Sequence, residues 1–183
     1  RQRQMCIRDR GKDNDWAFEV LVENGIEYDC SVFPASRDFG GFPQFTSSVP
    51  SLVRKGDYTL KELPICPARL MGKVVPFSGG GYFRLVPLWL QRQLLNRMDY
   101  VMFYFHINDL IEQNSKFMTK QEFEKYFKEP GTLKNRVTRY MKTNIGKGGA
   151  LNKLDVLLEN YLFCNVEQAA ELIDWNKQPL IEL

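Results

Sequence analysis

The sequence predicts an α/β domain, and three observations carry that expectation. A helical pattern at residues 12–24 stops at Gly25 and runs directly into a strand pattern at 26–32, the αβ half of a βαβ unit. The segment Tyr100 to His106, Y-V-M-F-Y-F-H, is an almost unbroken apolar run whose length and aromatics suit a strand buried on both faces of a parallel sheet. Helical and strand periods then alternate through most of the chain.

Taken in order, Asp13, Asn14 and Asp15 offer caps for the first helix, Trp16 and Val20 share a face with Ala17 and Leu21, and Gly25 ends it. Residues 33–57 are rich in Pro, Gly, Ser and Phe without a steady period, and a long ordered loop is expected there. Strands are expected at 60–68 and 73–77, leading into Ser78-Gly79-Gly80-Gly81. A helix at 87–97 accepts Pro87 in its first turn and takes its apolar faces from Leu88, Leu90, Leu94 and Leu95. Beyond the 100–106 strand, helices are expected at 119–127, opened by a Thr119/Glu122 capping box, at 132–142 and at 149–159. A short strand at 161–165, a helix at 166–173 and a tail at 174–183 complete the reading, with no internal repeat.

At 183 residues, 44% hydrophobic and 13% aromatic, the chain is long enough to bury one core. Its net charge of +3 is local: four of the 25 basic and one of the 22 acidic residues lie in the first ten, and the remainder balance. Phosphate neutralisation needs clustered cations, so nucleic acid is not an expected partner. Residues 1–10, RQRQMCIRDR, show neither an apolar period nor a secretory core and are expected to be a non-native leader, leaving 11–183 as the domain. Cys6, Cys30, Cys66 and Cys164 form no C-x-x-C pair, which excludes a zinc ribbon or dithiol motif and points to reduced, packed thiols in a cytoplasmic protein. No apolar run approaches the roughly 18 residues of a membrane span.

His106, the single histidine, ends the most apolar strand just before Asn108 and Asp109. The carboxyl end of a buried parallel strand is where α/β folds place reactive groups, and an imidazole suits proton transfer near neutrality. A structural hydrogen bond to a carbonyl is the competing reading. Asp29 stands where the first strand runs into a loop, as a turn-capping or a catalytic carboxylate. The glycine segment lacks the spacing of a phosphate loop. It either makes a tight turn or lets a ligand approach the backbone, with Tyr82 available to stack on a sugar ring. One histidine cannot build a multi-histidine metal site, and no G-x-S-x-G elbow is present.

Three motifs in order, W-A-F-E-V-L-V-E-N-G-I-E-Y-D-C-S-V-F-P (16–34), G-G-G-Y-F-R-L (79–85) and F-Y-F-H (103–106), resemble polysaccharide deacetylases of the nodulation-protein and chitooligosaccharide deacetylase superfamily, in particular the subgroup tied to exopolysaccharide gene clusters. The resemblance implies an incomplete, distorted (β/α) barrel with fewer strands than a TIM barrel, and hydrolysis of N-acetyl groups from amino sugars of a glycan substrate. It implies that His106 protonates the leaving amine and that Asp29 orients polar partners around the site. Gly80, Gly81, Tyr82 and Arg84 would line the substrate groove. After His106 the subgroup often has Pro-Trp-Glu; here Ile107-Asn108-Asp109 keeps the acidic position at Asp109 and drops the tryptophan.

In that family a divalent metal, expected to be zinc, is held by an early aspartate pair and a later H-x-x-x-H, and neither motif occurs in this sequence. The chain is therefore expected to be the C-terminal portion of such an enzyme, inactive alone, binding no metal itself, and carrying an exposed strand edge near residue 26. The alternative is a non-catalytic carbohydrate-binding or scaffolding module with a deacetylase-like fold.

Overall fold

The computed structural model describes residues 15–34, 42, 45, 47–70, 73–111 and 116–183. The expected leader, the helix start at Lys12 and most of the loop between 35 and 46 lie outside them. The architecture is mixed α/β. An open four-stranded sheet has the order β1-β3-β2-β6, built from β1 (Tyr28–Asp29), β2 (Ser51–Lys55), β3 (Tyr58–Glu62) and β6 (Leu180–Glu182). β4 (Ala68–Leu70) and β5 (Lys73–Val75) form a separate antiparallel pair. The helices are α1 (Ala17–Glu23), α2 (Gly80–Leu85), α3 (Leu88–Leu95), α4 (Ile107–Leu110), α5 (Lys120–Phe127), α6 (Leu133–Asn144), α7 (Ala150–Asn160) and α8 (Val166–Leu172).

α1 starts without a side-chain cap, at Trp16, so the expected aspartate cap is not used. It ends as expected: Gly25 N–H donates to the Val22 carbonyl and Ile26 N–H to that of Leu21, the paired bonds of a Schellman stop. The buried face of α1, Phe18 and Leu21, packs with Val53, Leu60 and Ile181 of the sheet. Those three lie in register across β3, β2 and β6 and form an apolar rung. Lys55 binds Asp15 and Glu19, both at 3.3 Å, and ties β2 to the helix start.

Two strands correct the sequence reading. β2 falls inside the expected 33–57 loop and β6 inside the expected tail. β2 and β3 form a hairpin over Gly56-Asp57, with Lys55 opposite Tyr58; a two-residue Gly-Asp turn between alternating runs was the available signal. β6 is only three residues long, and its order comes from parallel pairing with β2, far away in the sequence. β1 stands at one end of the sheet, where a free edge was expected.

The region from Cys66 to His106 also departs from expectation. Residues 100–106 are extended but join no named strand; the segment makes one isolated parallel bridge, Tyr104 to Gly79. The cause lies in its neighbours. Met102 N–H donates to the Cys66 thiol sulfur at 3.2 Å instead of to a carbonyl, and Pro64 and Pro67 beside that cysteine offer no N–H at all. The expected 60–68 strand ends at Glu62 for the same reason. The expected 161–165 strand is irregular chain: Leu162 is fully exposed, and Asn165 spends its side chain capping α8 by accepting from Gln168 N–H. α5 follows its capping box as read, with Thr119 N–H donating to Glu122 at 2.7 Å and Glu122 N–H to Thr119 at 3.3 Å.

Candidate functional site

His106 closes the 100–106 segment and caps α4 with extended backbone. Two parallel hydrogen bonds fix the approach: Tyr104 N–H to the Ser78 carbonyl at 3.1 Å, and Gly80 N–H to the Tyr104 carbonyl at 2.9 Å. The imidazole is exposed. Its Nε2 shares a hydrogen bond with the Tyr104 hydroxyl at 2.9 Å, and the two rings meet edge to face with centroids 5.1 Å apart. The main chain of His106 is held by Asp109, whose Oδ2 accepts from His106 N–H at 3.1 Å while Asp109 N–H donates to the His106 carbonyl at 2.8 Å.

The glycine segment is the start of α2, with Gly79 as its extended N-cap and Phe83 N–H donating to the Gly79 carbonyl. Phe83, fully buried among Phe103 and Phe105, gives this helix its anchor. The Asp109 carboxylate lies directly against Gly80, where a Cβ would overlap Oδ2. A Cβ at Gly81 would meet only the Arg84 guanidinium at 3.5 Å, an ordinary contact. Gly81 and Tyr82 face solvent.

Arg84 is buried. Its Nη1 donates to the Thr143 carbonyl at 2.9 Å and its Nη2 to the Lys142 carbonyl at 2.8 Å, and Nη2 lies 3.7 Å from Asp109 Oδ1. Those carbonyls belong to the last turn of α6, which has no further helical partners for them. Gly146, just past α6, has φ of +75°, and a Cβ there would press to 2.9 Å on the Arg84 carbonyl. Lys153 of α7 performs the matching task for α2, donating to the carbonyls of Phe83, Arg84 and Val86 at 2.8, 3.1 and 2.8 Å. Its partial burial lowers its pKa. Neither clamp is legible in the sequence, because the Arg84 clamp joins residues 58 and 59 apart and the Lys153 clamp residues 67 to 70 apart.

Asp29 belongs to a different cluster. It is buried, accepts from the Ser31 hydroxyl at 2.8 Å, and stands in register with Glu62 of β3, itself in register with Ser51 of β2. This polar rung lies two residues along from the apolar one, on the same covered face. Glu62 accepts from Val32 N–H at 3.1 Å and was not singled out from the sequence. Its signal was there: Glu62 shares strand parity with buried Leu60. Nearby, burial pushes the Cys66 thiol up to about 11 and raises the Tyr100 phenol further from its usual range. At neutral pH Cys66 is thus a thiol and not a nucleophile. Of the three cysteines described, only Cys66 is buried; Cys30 is half-buried and Cys164 exposed, against the expectation of packed thiols.

His106, Asp109, Gly80 and Arg84 are therefore drawn together, with Gly81 and Tyr82 on the outer side of the same helix and Asp29 in the sheet. Two open grooves lie elsewhere: one of about 700 Å³ is lined by Lys116, Met118, Glu122, Lys125 and Tyr126, the other, of about 320 Å³, by Leu85, Val137, Met141 and Ile145. Among the described residues no group of three or more His, Cys, Asp or Glu is placed to hold a metal ion. No helix among them is long and apolar enough to cross a membrane.

Fold and site together define a mixed α/β domain with an open four-stranded sheet, several helices and a histidine at the N-cap of α4. Residues 30–171 match the family described as Domain of unknown function (DUF3473), and the chain belongs to that family. No curated protein and no solved structure matches it.

Proposed function

We propose that this chain carries the proton-donor end of a metal-dependent polysaccharide deacetylase, a hydrolase that removes N-acetyl groups from amino sugars of a glycan. The observation that carries the reading is the exposed imidazole of His106, held at the end of an extended segment that bridges 78–80 in parallel and is hydrogen-bonded through Nε2 to Tyr104. An imidazole so placed can give its proton to the amine nitrogen as the amide C–N bond breaks, with acetate as the other product. Parallel contacts also join the residues around β1 to those around β3, through Lys61 N–H to Glu27, Leu63 N–H to Asp29 and Ile65 N–H to Val32. Two sets of parallel contacts support the reading of the domain as a section of a distorted (β/α) barrel.

The residues described do not fit a zinc site, so the chemistry assigned to them stops at proton donation and positioning. In this reading the aspartate pair and histidine ligands lie upstream of Gly11, and Asp29 orders polar groups in the sheet. Acetate release from an N-acetylglucosamine oligomer, measured on the protein extended upstream in its native reading frame, tests the proposal. Zinc-dependent release is expected; no release at any zinc concentration overturns it. A second reading, a carbohydrate-binding module without chemistry, draws on the exposed rings of Tyr82 and Trp89 on neighbouring helices. It requires glycan binding by the longer protein with no acetate released.

A further inference from the structure

We infer that Asp109 is a positioning residue for His106, and that position 80 is glycine because the Asp109 carboxylate fills the space a side chain would take. The inference takes its functional meaning from the reading of His106 as proton donor. Its geometry does not depend on that reading.

Both oxygens of the Asp109 carboxylate face protein groups. Oδ2 accepts from His106 N–H at 3.1 Å, and Oδ1 lies 3.7 Å from Arg84 Nη2. Arg84 is in turn fixed by two carbonyls at the end of α6. A chain of polar contacts thus runs from α6 through Arg84 and Asp109 to the backbone of His106. The Tyr104 hydroxyl holds the ring, and the Tyr104 backbone joins the segment to Ser78 and Gly80. Asp109 adds a second anchor, at the His106 backbone itself, that ties it through Arg84 to the end of α6. Proton transfer is sensitive to misplacement of about 1 Å, so such an anchor bears on reactivity without touching substrate.

Gly80 is where the anchor can be displaced cleanly. A Cβ there would overlap Asp109 Oδ2 and lie 2.6 Å from its Cγ, and the atoms it meets are the far end of a flexible side chain. The carboxylate therefore yields before the backbone does. Gly80→Ala is expected to keep the fold and expel Asp109 from its seat.

The single histidine makes the test specific, since the imidazole resonances of the chain come from His106 alone. In Gly80→Ala and in Asp109→Ala those resonances, including the Nε2 signal that reports the Tyr104 hydrogen bond, are expected to shift or broaden while most backbone amide signals stay in place. The double variant is expected to move them no further than Asp109→Ala, because the new methyl then enters vacated space. Asp109→Asn keeps an oxygen for His106 N–H and is expected to restore signals close to those of the unmodified chain. Gly81→Ala is expected to leave them unchanged. Unmoved resonances in Asp109→Ala, or strictly additive shifts in the double variant, overturn the inference. Should Gly80→Ala fail to fold, the contrast between Asp109→Ala and Asp109→Asn decides alone, with equal shifts counting against it. Since no substrate enters this test, its failure is separate from failure of the deacetylase reading, which turnover reports.

Discussion

α1 and strands β1, β2, β3 and β6 are joined by backbone ladders over a shared apolar core, whereas α2, α6 and α7 are tied to one another by charged side chains that reach the carbonyl ends of helices. In the first region Phe18, Leu21, Val53, Leu60 and Ile181 form one buried cluster. In the second, α6 buries no residue at all, and its attachment to α2 runs through Arg84. Each region is therefore vulnerable in its own way. Burial is shared among many contacts and fails globally, while a clamp made by one guanidinium or one ammonium fails locally. His106 sits in the second region, where the Asp109 and Arg84 bonds add to the packing of Phe103 and Phe105 on Phe83.

Phe18→Ala removes a fully buried ring that meets Phe42 edge to face, and is expected to cost about 3–5 kcal/mol in urea unfolding with little change in the His106 resonances short of the transition. Arg84→Met is expected to cost less, about 2–3 kcal/mol, for the loss of charged hydrogen bonds to two helix-end carbonyls. Unlike Phe18→Ala, it should disturb His106 in the folded state; equal silence in both variants would erase the distinction between the regions. Lys153→Met, which bares the Phe83, Arg84 and Val86 carbonyls, is expected to cost about 1–2 kcal/mol and to raise amide exchange at the end of α2 selectively.

The smallest effect concerns α5. Thr119→Ala removes an N-cap and is expected to lower stability by about 1 kcal/mol. Its partner Glu122 has its carboxyl held below the usual range, chiefly by Thr119 N–H. A carboxylate with a lowered folded-state pKa adds stability that is complete above the unfolded value and is lost as pH falls through the folded one. Glu122→Gln should therefore flatten the decline in thermal midpoint below pH 4.5, and an unchanged acid limb would remove the capping box from the account.

The same contrast decides what could be read from sequence. Helices with local signals were legible: the Thr119/Glu122 box, the Gly25 stop and the Leu90 and Leu94 face of α3 each depend on residues within a turn or two. β6 was not, since it is ordered by a partner some 130 residues away, as in the bond between Arg54 and Glu182, whereas β2 carries its own signal in the Gly56-Asp57 turn. The 100–106 segment was recognised as extended and apolar, but its irregular pairing depends on a thiol and two prolines elsewhere. Among the site residues, His106 stood out through its place at the end of an apolar run, and Asp109 through the family resemblance. The place of Arg84 under α6 and the reason for Gly80 required the fold, because sequence distance hides a carbonyl 58 or 59 residues on.

The central claim is that His106 donates a proton from the end of the 100–106 segment. It is tested most directly by His106→Ala in the protein extended upstream of Gly11, assayed for acetate release from an N-acetylated glycan. A fall in kcat of about 10²- to 10⁴-fold is predicted, with KM and bound metal unchanged. Unaltered turnover in the variant would contradict it.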